Sequence, residues 1–319
     1  MKRISLFIAM LMATTAIMLA QKVQKGTYWH DGFAFYHANA IDRDGTIHFV
    51  GGTLHEGGYQ FALKPTATPG EYKLALNEPG NEYSQTIDFD LKPGNKVTLT
   101  TVAGTQVLSF FNGTGTLESV VYKFDGDLEQ VMIDDWRTAF AGTYVDHAGK
   151  KCIFTPDGRC QLPGENSLKP YTVEEMYEMP SDIITTASGK QFQVHITAKG
   201  IELWSGIYDN DENFTPDDNV LALTRTASPY GDGCWAWAST QLITQSLAGC
   251  HKAEVLRLIR NEIWARHGYR FSSPDLQQYF SAQPWYRPVA DNASIQLSDV
   301  EKLNVDLLKA IETDIRKQQ

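Results

Sequence analysis

The densest concentration of reactive side chains in this chain lies near its C-terminus. Arg257, Arg260, Arg266, His267 and Arg270 crowd into one short stretch, interleaved with Trp264 and followed by Trp285 and Tyr286. Guanidinium forks match the planar oxygens of carboxylates and phosphates. Aromatic rings offer flat apolar faces to sugars or peptides. Arg260, Trp264, Arg266, His267, Trp285 and Tyr286 are therefore the candidate ligand-binding residues. The same residues also support a structural reading. Glu262 precedes Arg266 by four positions, the favourable order for a helical ion pair. Arg260 can stack on Trp264 one turn later. Asn261 can satisfy a neighbouring backbone group, and His267 falls near a helix C-terminus, where a positive ring is favoured. Buried polar groups usually have partners, which favours the structural reading.

Other constellations are weaker. Gly233-Cys234-Trp235-Ala236-Trp237-Ala238-Ser239 has the Cys-Trp-Ala order of papain-like nucleophile regions. That chemistry needs an activating histidine far downstream, and His251 and His267 come too early for it. Asp209, Asp211 and Asn213 space oxygens like the start of a calcium loop. Phe214 and Val220 stand where such a loop needs Gly and Glu, so calcium is a weak candidate and a solvated acidic turn the plainer reading. The histidines show no metal-ligand spacing. No cofactor is implied, and no catalytic residue is assigned. Cys152, Cys160, Cys234 and Cys250 form an even set that suits disulfides in an exported protein, with the pairing open. A turn at Thr155–Arg159 sets Phe154, not Cys152, opposite Cys160. A Cys152–Cys160 bridge would then join diagonal neighbours, a marginal geometry.

The segments that must position these residues change character along the chain. Residues 1–20 read as a signal peptide: Lys2 and Arg3 precede an apolar run to Leu19, and Ala20 is a plausible cleavage residue. An uncleaved anchor is the alternative. No later segment is long and apolar enough to span a bilayer. Residues 21–133 alternate apolar and polar with period two, as in Ile47-His48-Phe49, Tyr59–Leu63, Tyr72–Leu76 and Ile87–Leu91. Gly and Pro turns punctuate them, the pattern of an antiparallel sandwich or barrel. Asp134–Arg137 reads as one helical turn at a boundary. A second all-β domain, a small barrel, spans 139–228. Both β segments open with Gly-Thr-Tyr, at Gly26 and Gly142, a faint internal repeat. Residues 229–250 read as a linker in which Ala236–Leu247 includes a short helix.

From 251 to 319 the period becomes helical. Val255, Ile259 and Ile263 mark the inner face of a first helix, which Gly268 stops. Ser273-Pro274 starts a second. Ser298 and Glu301 form a capping box for a third, whose apolar stripe is Val300, Leu303, Leu307 and Ile311. The fold class is multidomain: two antiparallel all-β segments followed by a small all-α three-helix domain.

The formal charge of −10 argues against wholesale nucleic-acid binding. From His251 onward ten Lys/Arg face nine Asp/Glu, so that stretch carries +1 and the remainder −11.

The run Glu254–Phe271, with Trp264-Ala265-Arg266-His267-Gly268 at its centre, resembles the YARHG domain, a bacterial family named for this motif. Trp264 replaces the motif's Tyr and keeps a large aromatic with a polar edge. The resemblance continues through Ser273–Leu276, Tyr279-Phe280, Gln283–Tyr286 and Leu297–Asn304, about a fifth of the chain. It implies an extracytoplasmic domain, elsewhere often joined to peptidase or kinase modules, and brings no catalytic residues. The second β segment is similar to a small lipocalin-type barrel in patterning alone. Together these features point to an exported, non-enzymatic protein of the bacterial envelope, periplasmic or on the cell surface. Its helical module would bind or support a cell-envelope component or another exported protein. Two alternatives stand beside it: a hydrolase with a site in a cleft between the β domains, and a small-ligand carrier in the second barrel. Inward-pointing Phe192 and Trp204 would fill that carrier's cavity.

Overall fold

Period-two alternation becomes two eight-stranded antiparallel barrels in the computed structural model. The model describes residues 23–30, 33–41, 43–53, 58–75, 91–176, 179–208 and 213–318. The signal-like segment and the calcium candidates Asp209 and Asp211 lie outside the described residues. The chain divides into two compact units, residues 1–125 and 126–319.

In the first unit, β1 (Thr27–His30), β2 (Phe33–Ile41), β3 (Ile47–Thr53), β4 (Gly58–Pro65), β5 (Glu71–Ala75), β6 (Lys96–Val102), β7 (Thr105–Phe111) and β8 (Leu117–Phe124) pair in sequence order. Closure comes from β1 against β8, with Thr27 opposite Phe124 and Trp29 opposite Tyr122. A closed sheet has no edge to protect, which settles the choice between sandwich and barrel. Phe49, Phe61 and Phe110 fill the interior. The Phe49 and Phe61 rings stack at 4.6 Å, and Phe61 meets Phe110 edge-on at 5.6 Å.

The second unit opens with α1 (Leu128–Phe140), capped by the Asp127 side chain. This is a full helix where the sequence suggested a single turn at 134–137. Its apolar contacts are spread thinly among Glu129, Asp134, Asp135 and Arg137, which hides the helical period. The second barrel follows: β9 (Gly142–Val145), β10 (Lys151–Phe154), β11 (Arg159–Gln161), β12 (Lys169–Met176), β13 (Met179–Thr186), β14 (Gln191–Thr197), β15 (Gly200–Tyr208) and β16 (Phe214–Ala227), again in sequence order and closed by β16 on β9.

The two barrels share a local device. Gly-Thr-Tyr begins each at β1 and β9, and both tyrosines are fully buried. The Tyr28 hydroxyl lies 3.0 Å from the carbonyl of Gln24 and 2.7 Å from the Gln106 side-chain oxygen. The Tyr144 hydroxyl donates to the carbonyl of Phe140 at 2.5 Å. Each ring thus ties the chain entering its barrel back to the first strand, and the repeat is structural.

Phe140, Phe154 and Tyr171 pack ring on ring inside the second barrel at 5.5–5.9 Å, with Tyr144 beside Phe154. Phe192 is buried, whereas Trp204 is half-buried and sits against His195 at 4.9 Å. β16 outruns its barrel. It meets β9 only from Thr224 onward, while Val220 to Phe214 pair with β15 alone among the described residues. Ile207 and Val220 on this ribbon are exposed. Pro216 and Asp217, whose carboxylate accepts the Asn219 N–H at 2.7 Å, blunt its free edge.

Beyond β16 the chain turns helical. A 3-10 turn at Ala236–Ser239 and the short α2 (Gln245–Gly249) replace the single short helix expected in 236–247. Then come α3 (Ala253–Arg266), α4 (Pro274–Ser281) and α5 (Asp299–Gln318). Ser298 and Glu301 form the capping box reciprocally, at 2.9 and 3.2 Å. The inner face of α3 holds Val255, Ile259 and Ile263 as its spacing predicts. On α5 the buried face is rotated from the apolar stripe. Leu307 of the expected stripe is fully buried beside Leu308, Glu301, Asn304 and Glu312, while Val300, Leu303 and Ile311 are half-buried.

Candidate functional site

The motif on α3 is the hub of the helical region, and most of its polar atoms are used inside the protein. Glu262 is 1% exposed. Its two carboxylate oxygens accept the backbone N–H of Cys234 at 3.0 Å and of Trp235 at 2.8 Å. Gly233 holds a left-handed φ of +96°, and a Cβ there would stand 2.3 Å from a Glu262 oxygen, so only glycine lets the carboxylate reach the two amides. Burial pushes the Glu262 carboxyl up to about 7, against the two amides and the nearby Arg266 and Arg225. The Glu262–Arg266 helical ion pair expected from spacing does not form. Glu262 turns inward to the amides, and Arg266 donates to the carbonyl of Asp232.

The other motif residues follow the same logic. Arg260 reaches Glu312 on α5 at 2.8 and 3.2 Å instead of stacking on Trp264, and Arg316 holds the other Glu312 oxygen at 3.0 Å. Asn261 donates to the Arg257 carbonyl at 2.7 Å. The His267 ring meets Glu301 at 2.8 Å. Gly268 stops the helix at φ +77°, with the carbonyl of Arg287 2.3 Å from where a Cβ would sit. The Tyr286 hydroxyl donates to the Tyr269 carbonyl at 2.6 Å. Asn304 on α5 is fully buried, although its residue type and spacing carry no sign of a site. It accepts the Ile243 N–H at 3.0 Å and donates to the carbonyls of Ala238 and Gln241 at 2.8 Å each. Only its place among the residues resembling the family pointed to it.

Of the six candidate residues, Arg260, Arg266, His267 and Tyr286 are therefore engaged internally. The two tryptophans line separate grooves. Trp264 borders one of about 490 Å³ with Ile295, Leu297, Lys302, Val305 and Asp306. Trp285 borders a larger one of about 890 Å³, between the end of β16 with its continuation (residues 225–234) and the segment Gln283–Arg287. Its volume is in the range of small-molecule sites.

The larger groove carries uncommitted polarity. A guanidinium has five N–H donors. Arg225 gives three, to the carbonyls of Ala141, Cys234 and Ala139 at 2.7, 3.3 and 3.4 Å, and lies over the Tyr144 ring. Arg287 gives two, both from one nitrogen, to the carbonyls of Pro284 and Tyr286. Neither arginine has a carboxylate within ion-pairing distance among the described residues. Asp232, also on the lining, is exposed and has no cationic partner there among the described residues. The Trp285 indole N–H is buried from solvent with no hydrogen-bond acceptor among the described residues.

The four cysteines are free thiols in this structure. The register sets Phe154 opposite Cys160 and Tyr144 opposite Cys152, so the two barrel thiols are diagonal, as the turn implied. Burial raises Cys152 to about 12 and Cys160 to about 11. Cys234 is also pushed up, first by burial and then by Glu262, while Arg225 and the Tyr279 hydroxyl at 3.9 Å act in the opposite direction. A thiol held protonated among these neighbours is not an activated nucleophile. His251 is buried with one ring nitrogen against the Leu247 carbonyl at 2.9 Å, and burial lowers it to about 4. Among the described residues no three His, Cys, Asp or Glu side chains are placed to hold a metal ion. No helix among them is long and apolar enough to cross a membrane.

Two eight-stranded antiparallel barrels, and a helical region built around an Arg-His-Gly hub that shares one compact unit with the second barrel, are the architecture of the described residues. Residues 233–313 match the YARHG domain model, which begins at the glycine beneath Glu262 and ends on α5. No curated protein and no solved structure matches the chain.

Proposed function

We propose that the protein is exported to the bacterial envelope and acts there as a non-enzymatic binding protein. Its helical region is a rigid support, and the groove of about 890 Å³ receives an envelope component or another exported protein. The observation that carries this reading is the uncommitted polarity of that groove. Arg225 and Arg287 line it without carboxylate partners among the described residues, in a chain whose formal charge is −10. Arg225 is half-buried and Arg287 exposed, and guanidinium forks left without a carboxylate favour an oxygen-rich ligand. Export is supported by the charged and apolar pattern of residues 1–20 and by the match to the YARHG domain, a family of extracytoplasmic character. Binding is favoured over catalysis because the buried acid and the thiol beside the groove are engaged: Glu262 accepts two amides, and burial holds Cys234 in its protonated form. The carrier reading for the second barrel is disfavoured by the Phe140, Phe154 and Tyr171 rings filling its interior.

The test is capture from envelope extract on immobilised full-length protein, comparing wild type with Arg287→Gln and Trp285→Ala. Loss of the captured species in Arg287→Gln, with circular dichroism unchanged, is the expected result. Undiminished capture by both folded variants would remove the groove from the account. Capture that fails only in Trp264→Ala would move the contact to the smaller groove.

A further inference from the structure

The groove carries charge of both signs, and this restricts its ligand more narrowly than cationic lining alone. Arg225 and Arg287 retain two and three N–H donors with no acceptor among the described residues, once the carbonyls they serve are subtracted. Asp232, exposed on the same lining, accepts Arg266 at its carbonyl, and its carboxylate has no ion-pair partner among the described residues. A phosphate dianion would meet the arginines favourably and Asp232 unfavourably. A simple cation would meet the reverse. A molecule with one carboxylate and one ammonium satisfies all three. The half-buried Trp285 ring supplies an apolar wall beside them.

Resting on the reading of this groove as a binding site, we infer that its ligand is zwitterionic: an amino acid or short peptide with a free α-carboxylate and a free amine. The carboxylate is held by Arg225 and Arg287, the amine by Asp232, and the intervening backbone lies along Trp285. Arg225 is anchored to three carbonyls, so it offers a fixed fork rather than a mobile charge, which lowers the ordering cost of binding.

Calorimetric titration of the full-length protein tests this with trialanine, its C-terminal amide, its N-acetyl derivative and inorganic phosphate as probes. Trialanine is expected to bind saturably. Amidation should weaken it about tenfold or more, the loss of a charge-assisted pair, and acetylation about threefold to tenfold. Arg287→Gln should reduce trialanine affinity about tenfold without moving the denaturation midpoint. Asp232→Asn should bring trialanine down to the affinity of its N-acetyl form while leaving that form unchanged, the signature of a direct amine–carboxylate pairing. Equal binding of trialanine and its amide, phosphate binding as tight as trialanine, or no saturable trialanine binding would each overturn the inference. The two readings separate cleanly. Envelope capture that depends on Arg287 while trialanine fails to bind keeps the groove as the site and rejects the zwitterion. Trialanine binding that depends on Arg287, with capture insensitive to it, rejects the envelope partner and keeps the ligand class.

Discussion

Glu262 and Trp235, 27 residues apart in the chain, are joined by a hydrogen bond of 2.8 Å from the Trp235 backbone N–H to a carboxylate oxygen buried under α3. With the neighbouring Cys234 amide on the other oxygen, it fixes the start of the family-matched region to its central helix. Truncation to Glu262→Ala leaves both amides unsatisfied and opens a space. An unsatisfied buried group costs about 1–3 kcal/mol, so with two amides exposed to this loss the variant should lose at least about 2 kcal/mol of stability in urea denaturation. A loss below about 1 kcal/mol would mean that water replaces the carboxylate without penalty.

The same burial makes stability depend on pH. Glu262 and Asp135 are both raised to about 7 by burial, the latter despite the Thr244 hydroxyl at 2.6 Å. A carboxyl with a raised folded pKa contributes stability that is full below its unfolded value near 4 and is lost as pH rises through about 7. His251 works in the other direction. Lowered to about 4, it contributes stability that is full above about 6.5 and is lost as pH falls toward 4. The carboxyls therefore dominate above pH ~6.5, where His251 is neutral in both states. The urea midpoint should fall between pH ~6.5 and ~8, and Glu262→Gln should flatten that fall. A midpoint that rises over this interval would contradict the burial of the two carboxyls.

Glycine substitutions separate conformational strain from collision. Gly149 has φ +75° with nothing within 4 Å of a built Cβ, whereas Gly268 has nearly the same φ with the Arg287 carbonyl 2.3 Å away. Gly149→Ala should cost about 1 kcal/mol, the left-handed penalty alone. Gly268→Ala should cost at least about 2 kcal/mol more, because backbone must move. Thermal or urea denaturation measures both, and equal losses would mean that the 287–289 segment yields freely.

The twin tyrosines make a matched pair. Removing one buried hydroxyl in Tyr28→Phe or Tyr144→Phe deletes the tie to the chain four residues upstream. Each should cost about 1–2 kcal/mol. Unequal losses differing by more than about 2 kcal/mol would show that the repeat is one of sequence and geometry without a common energetic role.

What was legible in the sequence was local. Ser298 with Glu301, Ser273 before Pro274, and Gly268 after α3 are contacts or conformations set within a few residues, and each lies where its spacing put it. Period-two runs revealed strands, but barrel closure joins β1 to β8 across nearly the whole first unit, and no local pattern encodes that pairing. On α5, hydrophobicity pointed to Val300, Leu303, Leu307 and Ile311. Of these Leu307 is fully buried, but the buried face also includes Glu301, Asn304 and Glu312, whose partners His267, Ile243 and Arg260 lie 34 to 61 residues away. A buried polar residue reads as exposed until its partner is known. The same blindness hid Glu262, which reads from spacing as the partner of Arg266. It also left the functional candidates divided. Trp264 and Trp285 reach grooves, while no local pattern marks Arg225, Arg287 and Asp232, which the fold brings to the lining of the larger one.

Amide hydrogen exchange of Cys234 and Trp235 tests most directly whether the Arg-His-Gly hub is an internal lattice centred on Glu262. Both N–H groups should exchange only through large-scale opening, with protection comparable to the Ile259 and Ile263 amides on α3. Exchange at the rate of an exposed loop, with α3 still protected, would mean that Glu262 does not hold the start of the domain, and the lattice would have no centre.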